Sequence, residues 1–464
     1  TVQRRGSRGR SLGWIWMLVV FAAATGGLIW GLSGSRRSSA VAPPSQSSLN
    51  ITTSNTTRAN PEPSLSEAEQ DKALRREQTE AAEKLLAEFP DNDDAVYLAG
   101  LVCEEQGDTA KAIQLWERSL ELDPGRADAH DSLGHAWMLR DDYEKAETYL
   151  RKALALDTNL HSARFHLAGA LSYQGKLEEV IAVLTNGTTL SADACRLLGD
   201  AYLHLKDYPK AQANFETAIK LNPELAEGYY GLSKVWTFLE NREKSAEYLE
   251  KFNALKKKTD TVERHIRATF APLKISMRST AQTHTDVGRV YMKKGRHREA
   301  EAMWRRAAAL DPENSLCRLQ LAVLCHQTGN SGEALRYYEE VAKLDPTDGL
   351  VQLNLGRVCA KLRQFERAEQ AFKEVLKLAP SQAEGYSGLA DLYLQSNRNL
   401  AQARLLAEQA VKLTPDAQNF GLLGQACIMN GDRPAAVAAM NKALELEPGN
   451  PHYLQMLQRL LEKR

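Results

Sequence analysis

Residues 106–124 read QGDTAKAIQLWERSLELDP, and nearly the same phrase returns as LKDYPKAQANFETAIKLNP at 205–223 and as KGRHREAEAMWRRAAALDP at 294–312. Around the first copy, in residues 95–124, large apolar residues recur at helical spacing in two runs that residues 106–108 separate. This pattern predicts a helix, a turn and a second helix. Because each helix has one apolar face that needs a neighbour, the repeated phrase indicates an array of stacked helix pairs.

Small residues and prolines recur at fixed places in the phrase, and this pattern resembles the tetratricopeptide repeat, which has 34 residues per unit. The resemblance covers residues 93–450 and implies an all-α fold, an α-solenoid superhelix of about ten helix pairs. The small first-helix residues are Gly100, Gly134, Ala168, Gly199, Ser233, Gly288, Ala322, Gly356, Ala390 and Gly424, and the closing prolines are Pro124, Pro223, Pro312, Pro346, Pro380, Pro415 and Pro448.

The repeat register divides this region into two blocks. It is lost between Lys256 and Ser279, where helical spacing continues without the repeat pattern. We therefore predict an N-terminal block at 67–258, made of a capping helix and five repeats. An inter-block linker helix is predicted at 259–280. The C-terminal block at 281–464 is predicted to hold five repeats and a final capping helix, since a solenoid needs terminal units with a polar outer face.

A long uncharged segment precedes the repeats. Residues 12–32 are long and apolar enough to cross a bilayer as a transmembrane helix. Arginines are denser in the tail at 1–11 than after the segment, which predicts a basic cytoplasmic tail and repeats outside the cytoplasm, in the periplasm if the source is bacterial. A cleaved signal peptide, with a small-residue site at 40–42, stays open as the alternative. The Ser/Thr/Pro-rich stretch 33–66 is predicted to be a disordered linker.

The composition offers little support for chemistry or for nucleic-acid binding. Lysine plus arginine and aspartate plus glutamate both total 59, whereas nucleic-acid binding favours a basic stripe. None of the six cysteines forms a C-x-x-C pair, and the close histidine pairs are five residues apart, not the three or four of a helical metal site. We therefore predict no catalytic residue, no metal and no cofactor, and interpret the cysteines as buried apolar residues.

The resemblance also implies that first helices line a concave groove. In the first block the groove would carry acidic and aromatic side chains, and in the second it would carry basic and apolar ones. Such surfaces suit protein or peptide partners, with aromatic rings as anchors and charges as selectors. The partner-binding candidates are Tyr97, Asp128, Asp131, Phe165, Asp200, Tyr230, Arg289, Lys293, Arg357 and Lys361.

These features together predict a single-pass membrane protein that holds protein or peptide partners near the membrane as a scaffold. Two other hypotheses stay open. The chain could be an accessory or regulatory subunit of a membrane-bound envelope or polysaccharide enzyme complex, or an enzyme with an unrecognised site in its groove.

Overall fold

A computed structural model describes residues 66–186, 191–269 and 272–462. Within these ranges the chain forms 22 α-helices and no β-strand, which confirms the all-α prediction. The chain divides into two units. Unit 1 includes Phe89–Pro272, and unit 2 combines Asp71–Glu88 with the chain from Leu273 onward.

Unit 1 contains five consecutive helix pairs, as the repeat register predicts. Their bounds are α2 (Asp93–Glu105) and α3 (Thr109–Leu122), α4 (Ala127–Met138) and α5 (Tyr143–Leu156), α6 (His161–Tyr173) and α7 (Leu177–Thr185), α8 (Ala192–His204) and α9 (Tyr208–Leu221), and α10 (Ala226–Phe238) and α11 (Arg242–Thr269).

Unit 2 contains five further pairs, a terminal helix and most of the first helix of the chain, α1 (Glu67–Glu88). The pairs are α12 (Pro272–Lys293) and α13 (His297–Leu310), α14 (Ser315–Gln327) and α15 (Ser331–Leu344), α16 (Gly349–Lys361) and α17 (Phe365–Leu378), α18 (Ala383–Gln395) and α19 (Leu400–Leu413), and α20 (Ala417–Met429) and α21 (Arg433–Leu446), and the terminal helix is α22 (Pro451–Glu462).

The quoted phrase folds as its residues predict. Gly107 makes the turn between α2 and α3 with a φ of 86°, in the left-handed region that glycine enters at little cost. Asp108 then caps α3, because its side-chain oxygen accepts a hydrogen bond of 3.0 Å from the Lys111 backbone N–H. The helix ends at Leu122, before Pro124. Each copy of the phrase therefore encodes its own turn, helix start and helix stop.

Glycines in the first helices allow bulky side chains of the second helices to pack against backbone. Phe215 of α9 is fully buried. A Cβ added to Gly199 would lie 2.7 Å from Cδ1 of its ring, and a Cβ on Gly231 in the next first helix would also clash with the ring. The ring is thus held between two helix backbones, and neither glycine has room for a larger residue.

First helices of successive repeats pack closely within each unit. In unit 1, α4 contacts α6, α6 contacts α8 and α8 contacts α10, and in unit 2 α16 contacts α18 and α18 contacts α20. Successive second helices do not approach each other as closely. We call the surface that these first helices share the inner face of each unit, and the family resemblance predicts that it is concave.

Helix α1 packs on the first pair of unit 2. Gln78, only 2% exposed, donates hydrogen bonds of 2.9 Å and 3.0 Å to the hydroxyls of Ser279 and Thr283 on α12. Glu77 accepts hydrogen bonds from Arg306 on α13, at 2.7 Å and 2.8 Å. The repeat pattern placed this helix as the cap of the first block, because it directly precedes α2. Its polar contacts instead assign residues 71–88 to unit 2.

The predicted linker helix at 259–280 is not a separate helix in the structure. Helix α11 runs without a break from Arg242 to Thr269, and α12 begins at Pro272. Proline is favoured in the first turn of a helix, where its missing N–H would have no helical partner. The predicted linker region is therefore divided between the end of α11 and the start of α12.

The predicted tail, membrane helix and linker, except for Ser66, lie outside the described residues. Among the helices that the structure describes, none combines the length and apolar character that a bilayer crossing requires.

Candidate functional site

Tyr97 of α2 lies on the inner face of unit 1, but it is not a bare ring. The guanidinium of Arg126, at the start of α4, sits 4.5 Å from the ring centroid. The Tyr97 hydroxyl lies 3.2 Å from the hydroxyl of Ser132 on α4. Burial raises the pKa of Tyr97, and the nearby Asp128 carboxylate acts in the same direction. Arg126 also forms ion pairs with Asp93 and Asp94, so this end of the groove is a closed polar network.

Asp131 of α4 is nearly buried and contacts His166 of the next repeat. Its Oδ1 lies 2.8 Å from Nδ1 of His166 on α6. The His166 ring stacks on the ring of His135, with centroids 4.7 Å apart and planes inclined by 26°. Nδ1 of His135 in turn lies 3.5 Å from Oε1 of Glu104 on α2. We call His135 and His166 the histidine pair.

The other unit 1 candidates have neighbours that change their character. Phe165 is partly buried beside His166, with ring centroids 6.2 Å apart. Asp200 pairs with Arg196 at 2.8 Å. Burial raises the pKa of Asp200, while the positive charges of Arg196 and Lys234 oppose that rise. The acidic character of the face is therefore concentrated near the histidine pair and is partly neutralised at Asp200.

Tyr230 of α10 is the most exposed aromatic candidate, with 41% of its surface accessible. Lys234 lies over its ring at 4.3 Å from the centroid. The Phe252 ring of α11 lies 5.0 Å away. Tyr230 thus offers an aromatic edge beside a cation, on the inner face at the other end of unit 1 from Tyr97.

The unit 2 candidates are exposed cations on two first helices. Arg289 and Lys293 lie on α12, and Arg357 and Lys361 lie on α16. Arg289 pairs with Asp286, 2.7 Å away on its own helix. Between these helices stands α14, so the cations flank its inner face.

The apolar part of this face comes from α14 and α16. Leu316 and Leu319 of α14 are half-buried, and Leu350 of α16 is 47% exposed. Leu353 of α16 is only 6% exposed and belongs to the core. Burial lowers the pKa of His326 on α14, and the positive charges of Lys361 and Arg357 lower it further. The inner face of unit 2 therefore exposes leucine side chains that are surrounded by arginine and lysine side chains.

Potential metal ligands and thiols can be located in the ranges that the structure describes. No group of three or more histidine, cysteine, aspartate or glutamate side chains there could hold a metal ion. Cys195, Cys317, Cys325, Cys359 and Cys427 are buried and unbridged. Burial raises the pKa values of the Cys317, Cys325 and Cys359 thiols to about 11, which keeps them protonated and weakly nucleophilic at neutral pH.

Reasoning from sequence missed the histidine pair. It compared histidines within one helix, where His130 and His135, or His161 and His166, are too far apart for a helical metal pair. The structure instead joins one member of each pair across two first helices. A signal was present, because Asp131 and His166 are separated by 35 residues, as are Tyr97 and Ser132. A separation of about one repeat period places side chains on neighbouring first helices.

Family models support the assignment that the repeats and glycine slots indicate. Models described as tetratricopeptide repeat match residues 73–127, 105–161, 286–349 and 389–451, residues 326–392, and residues 192–225. Together these matches cover more than half of the chain. The protein therefore belongs to the tetratricopeptide repeat family.

Curated relatives match parts of the chain. Anaphase-promoting complex subunit 3 of Schizosaccharomyces pombe is 24% identical over 153 residues, which is 32% of this chain and 23% of that protein. The type IV pilus assembly protein PilF of Pseudomonas aeruginosa is 31% identical over 134 residues, which is 28% of this chain and 53% of that protein. The chain thus spans about half or less of the length of these relatives.

Solved structures also resemble parts of this chain. MamA from Desulfovibrio magneticus RS-1 is 22% identical, and the match covers 37% of this chain and 97% of that chain with a TM-score of 0.35. The family assignment rests on the repeat matches and not on this likeness.

Proposed function

We propose that this protein is a membrane-anchored scaffold that binds protein or peptide partners on the inner faces of its two units. One observation carries the proposal: the two inner faces differ in charge and apolar content. Carboxylates surround the histidine pair in unit 1, whereas arginine and lysine flank leucines in unit 2. The family favours a role in protein interaction, and the name of the pilus assembly relative suits work in a cell envelope.

The partner segment for unit 1 is basic. Glu104 lies on α2, and Asp128 and Asp131 lie on the neighbouring first helix α4, so their negative charges act together on a cation at this part of the inner face. Phe165 and Tyr230 supply aromatic surface for an apolar anchor. Charge complementarity mainly sets the rate of association, while buried aromatic contacts mainly set the rate of dissociation.

The partner segment for unit 2 is acidic and apolar. Arg357 and Lys361 are exposed and lie near His326, so a glutamate or aspartate would be attracted there. Leu316, Leu319 and Leu350 offer contact for an apolar side chain. A scaffold with two faces of this kind would bind two segments of one partner, or two partners.

Charge reversal on each face tests this scheme in the full chain, kept in detergent. Asp128→Lys is expected to slow association of a short lysine–leucine peptide by about tenfold at low salt, because a repulsive charge replaces an attractive one. Arg357→Glu should do the same to a glutamate–leucine peptide. Fluorescence anisotropy and stopped-flow association at low and high salt would measure both effects.

Each variant serves as the matched control for the other. Asp128→Lys should leave the glutamate–leucine peptide unaffected, and Arg357→Glu should leave the lysine–leucine peptide unaffected. If both variants weaken both peptides equally, or if neither peptide binds, the two-face scheme is wrong.

The membrane part of the proposal rests on residues 12–32 and their arginine-rich flank. We expect these residues to anchor the chain with the repeats outside the cytoplasm. An alkaline phosphatase reporter fused after Arg464 should then be active in cells, and the protein should stay with the membrane after a carbonate wash. A mature N-terminus near Pro43, found by mass spectrometry, would show instead that the segment is cleaved.

A further inference from the structure

Four side chains form a continuous line across three first helices of unit 1. The line runs from Glu104 on α2 to His135 on α4, across the stacked rings to His166 on α6, and back to Asp131 on α4. None of the four is fully exposed: the side chains of His135 and His166 are 40% and 25% accessible, and those of Glu104 and Asp131 are 26% and 12% accessible. The two imidazoles are therefore reachable by solvent protons and also held close together.

We propose that the histidine pair is a pH-dependent gate for cationic segments on the inner face of unit 1. With both rings neutral, Glu104 and Asp131 keep their negative field, which attracts a lysine or arginine of a partner. Protonation adds up to two positive charges between these carboxylates and cancels that field. This inference rests on the proposed function, because it assumes that unit 1 receives a basic segment.

The charged neighbours favour this assignment. The charged groups that act on the pair from α2 and α4 are Glu104 and Asp131, which are both acidic. On the same two helices, Asp128 lies near Tyr97. Cations on the surrounding elements have partners of their own. Arg126 pairs with Asp93 and Asp94, Arg151 and Lys176 pair with Glu147, and Arg196 pairs with Asp200. Arg164 bonds to the Thr158 carbonyl and lies near His161, Lys145 lies over the Trp137 ring and pairs with Asp142, and Lys152 lies over the Tyr149 ring.

The direction of the effect follows from proton linkage. The hydrogen bond with Glu104 raises the pKa of His135 against the opposing effect of burial, and the Asp131 charge adds to the rise. A bound lysine or arginine opposes protonation of the ring, so binding the cation releases a proton. The affinity is therefore greatest when the ring is neutral and falls as the pH drops through the raised pKa.

The test uses the full chain in detergent and a short lysine–leucine peptide that carries tetramethylrhodamine on its N-terminus and an amide at its C-terminus, so that its charge is constant over the range. We expect the affinity to fall about tenfold or more between about pH 7.5 and pH 5.5, since a charge coupling between sites typically changes affinity by about 5- to 150-fold. The quantity compared between variants is the ratio of the two affinities. In His135→Gln with His166→Gln the ratio should approach one.

His161→Gln is the matched control, because His161 lies on α6 and is exposed. Its affinity ratio should equal that of the parent protein. A parent affinity that does not change with pH, or a ratio that survives in the double variant, overturns the gate.

A second readout does not depend on the peptide. In NMR spectra of the histidine-labelled protein, His166→Gln should change the titration of His135, because the ring stacked 4.7 Å from it is removed. An unchanged His135 titration overturns the gate even if the peptide binds. Loss of all peptide binding at pH 7.5 would instead count against the proposed basic partner, and the His135 titration would still decide whether the two rings are coupled.

Discussion

Replacing Gly199 with tryptophan is expected to unfold the fourth helix pair of unit 1. The Phe215 ring already lies within 2.7 Å of where a Cβ on Gly199 would be, and it is closed on its other side by Gly231. An indole cannot enter without separating α8 from α9. Overpacking a core typically costs about 1–3 kcal/mol and sometimes more, and this site should reach the upper end or exceed it. Thermal denaturation and hydrogen exchange of α8 and α9 would measure the loss.

Gly332→Trp is the matched control for this change. Gly332 lies near the start of α15, and a Cβ added there would meet no atom within 4 Å. The same side chain should therefore change the melting temperature little. Equal destabilisation by both substitutions would mean that added bulk, and not the contact with Phe215, is responsible.

Replacing Arg318 with methionine is expected to destabilise unit 2 by about 3 kcal/mol. Arg318 is only 8% exposed, and its guanidinium donates to the carbonyls of Ala308, Asp311 and Asn314 at 2.8–3.0 Å. Its Nε donates to Glu340 on α15 at 3.1 Å. Methionine keeps the apolar stem but removes every donor, which leaves carbonyls at the end of α13 without this partner. Chemical denaturation would give the difference.

Arg336→Met is the control, since Arg336 also lies near Glu340, at 3.9 Å, but its side chain is 57% exposed. Exposed ion pairs contribute at most about 1 kcal/mol, so this variant should unfold close to the parent. A large loss in Arg336→Met, or none in Arg318→Met, would contradict the role assigned to the buried carbonyl contacts.

The helix pairs were predictable from sequence because they depend on local spacing. Two helices can approach closely only where one has a small residue, so glycines such as Gly134, Gly199 and Gly356 recur at one position of the repeat. The turn at Gly107 likewise needs a residue that tolerates positive φ. Both requirements arise within a single repeat, so the residues that meet them can be identified in the sequence of that repeat.

The inner faces were less predictable, because the charge of a surface depends on side chains from neighbouring repeats. Asp200 was counted as a negative charge, but Arg196 and Lys234 lie beside it. The family register correctly indicates that a residue lies on the first helix, but it does not say which neighbour contacts it. The binding role of the inner-face candidates therefore stays a prediction for the peptide experiments.

The repeat pattern also did not predict which unit α1 packs against. Its spacing from α2 matches the spacing inside the repeats, so sequence alone assigned it to the first block. Its contacts with unit 2 are made by Gln78 and Glu77, which a pattern of apolar residues does not register. A polar contact between segments that are distant in the sequence produces no recognisable pattern in either segment.

The placement of α1 has a consequence for the order of events during synthesis. Gln78 is separated from Ser279 and Thr283 by 201 and 205 residues. At about 5–20 residues per second, the ribosome needs on the order of 10–40 s to produce α12 after α1 has emerged. Gln78 must wait that long for its hydrogen-bond partners on α12, while all five pairs of unit 1 are made. A protease that cuts just after α1 would damage the half of the protein that is translated last.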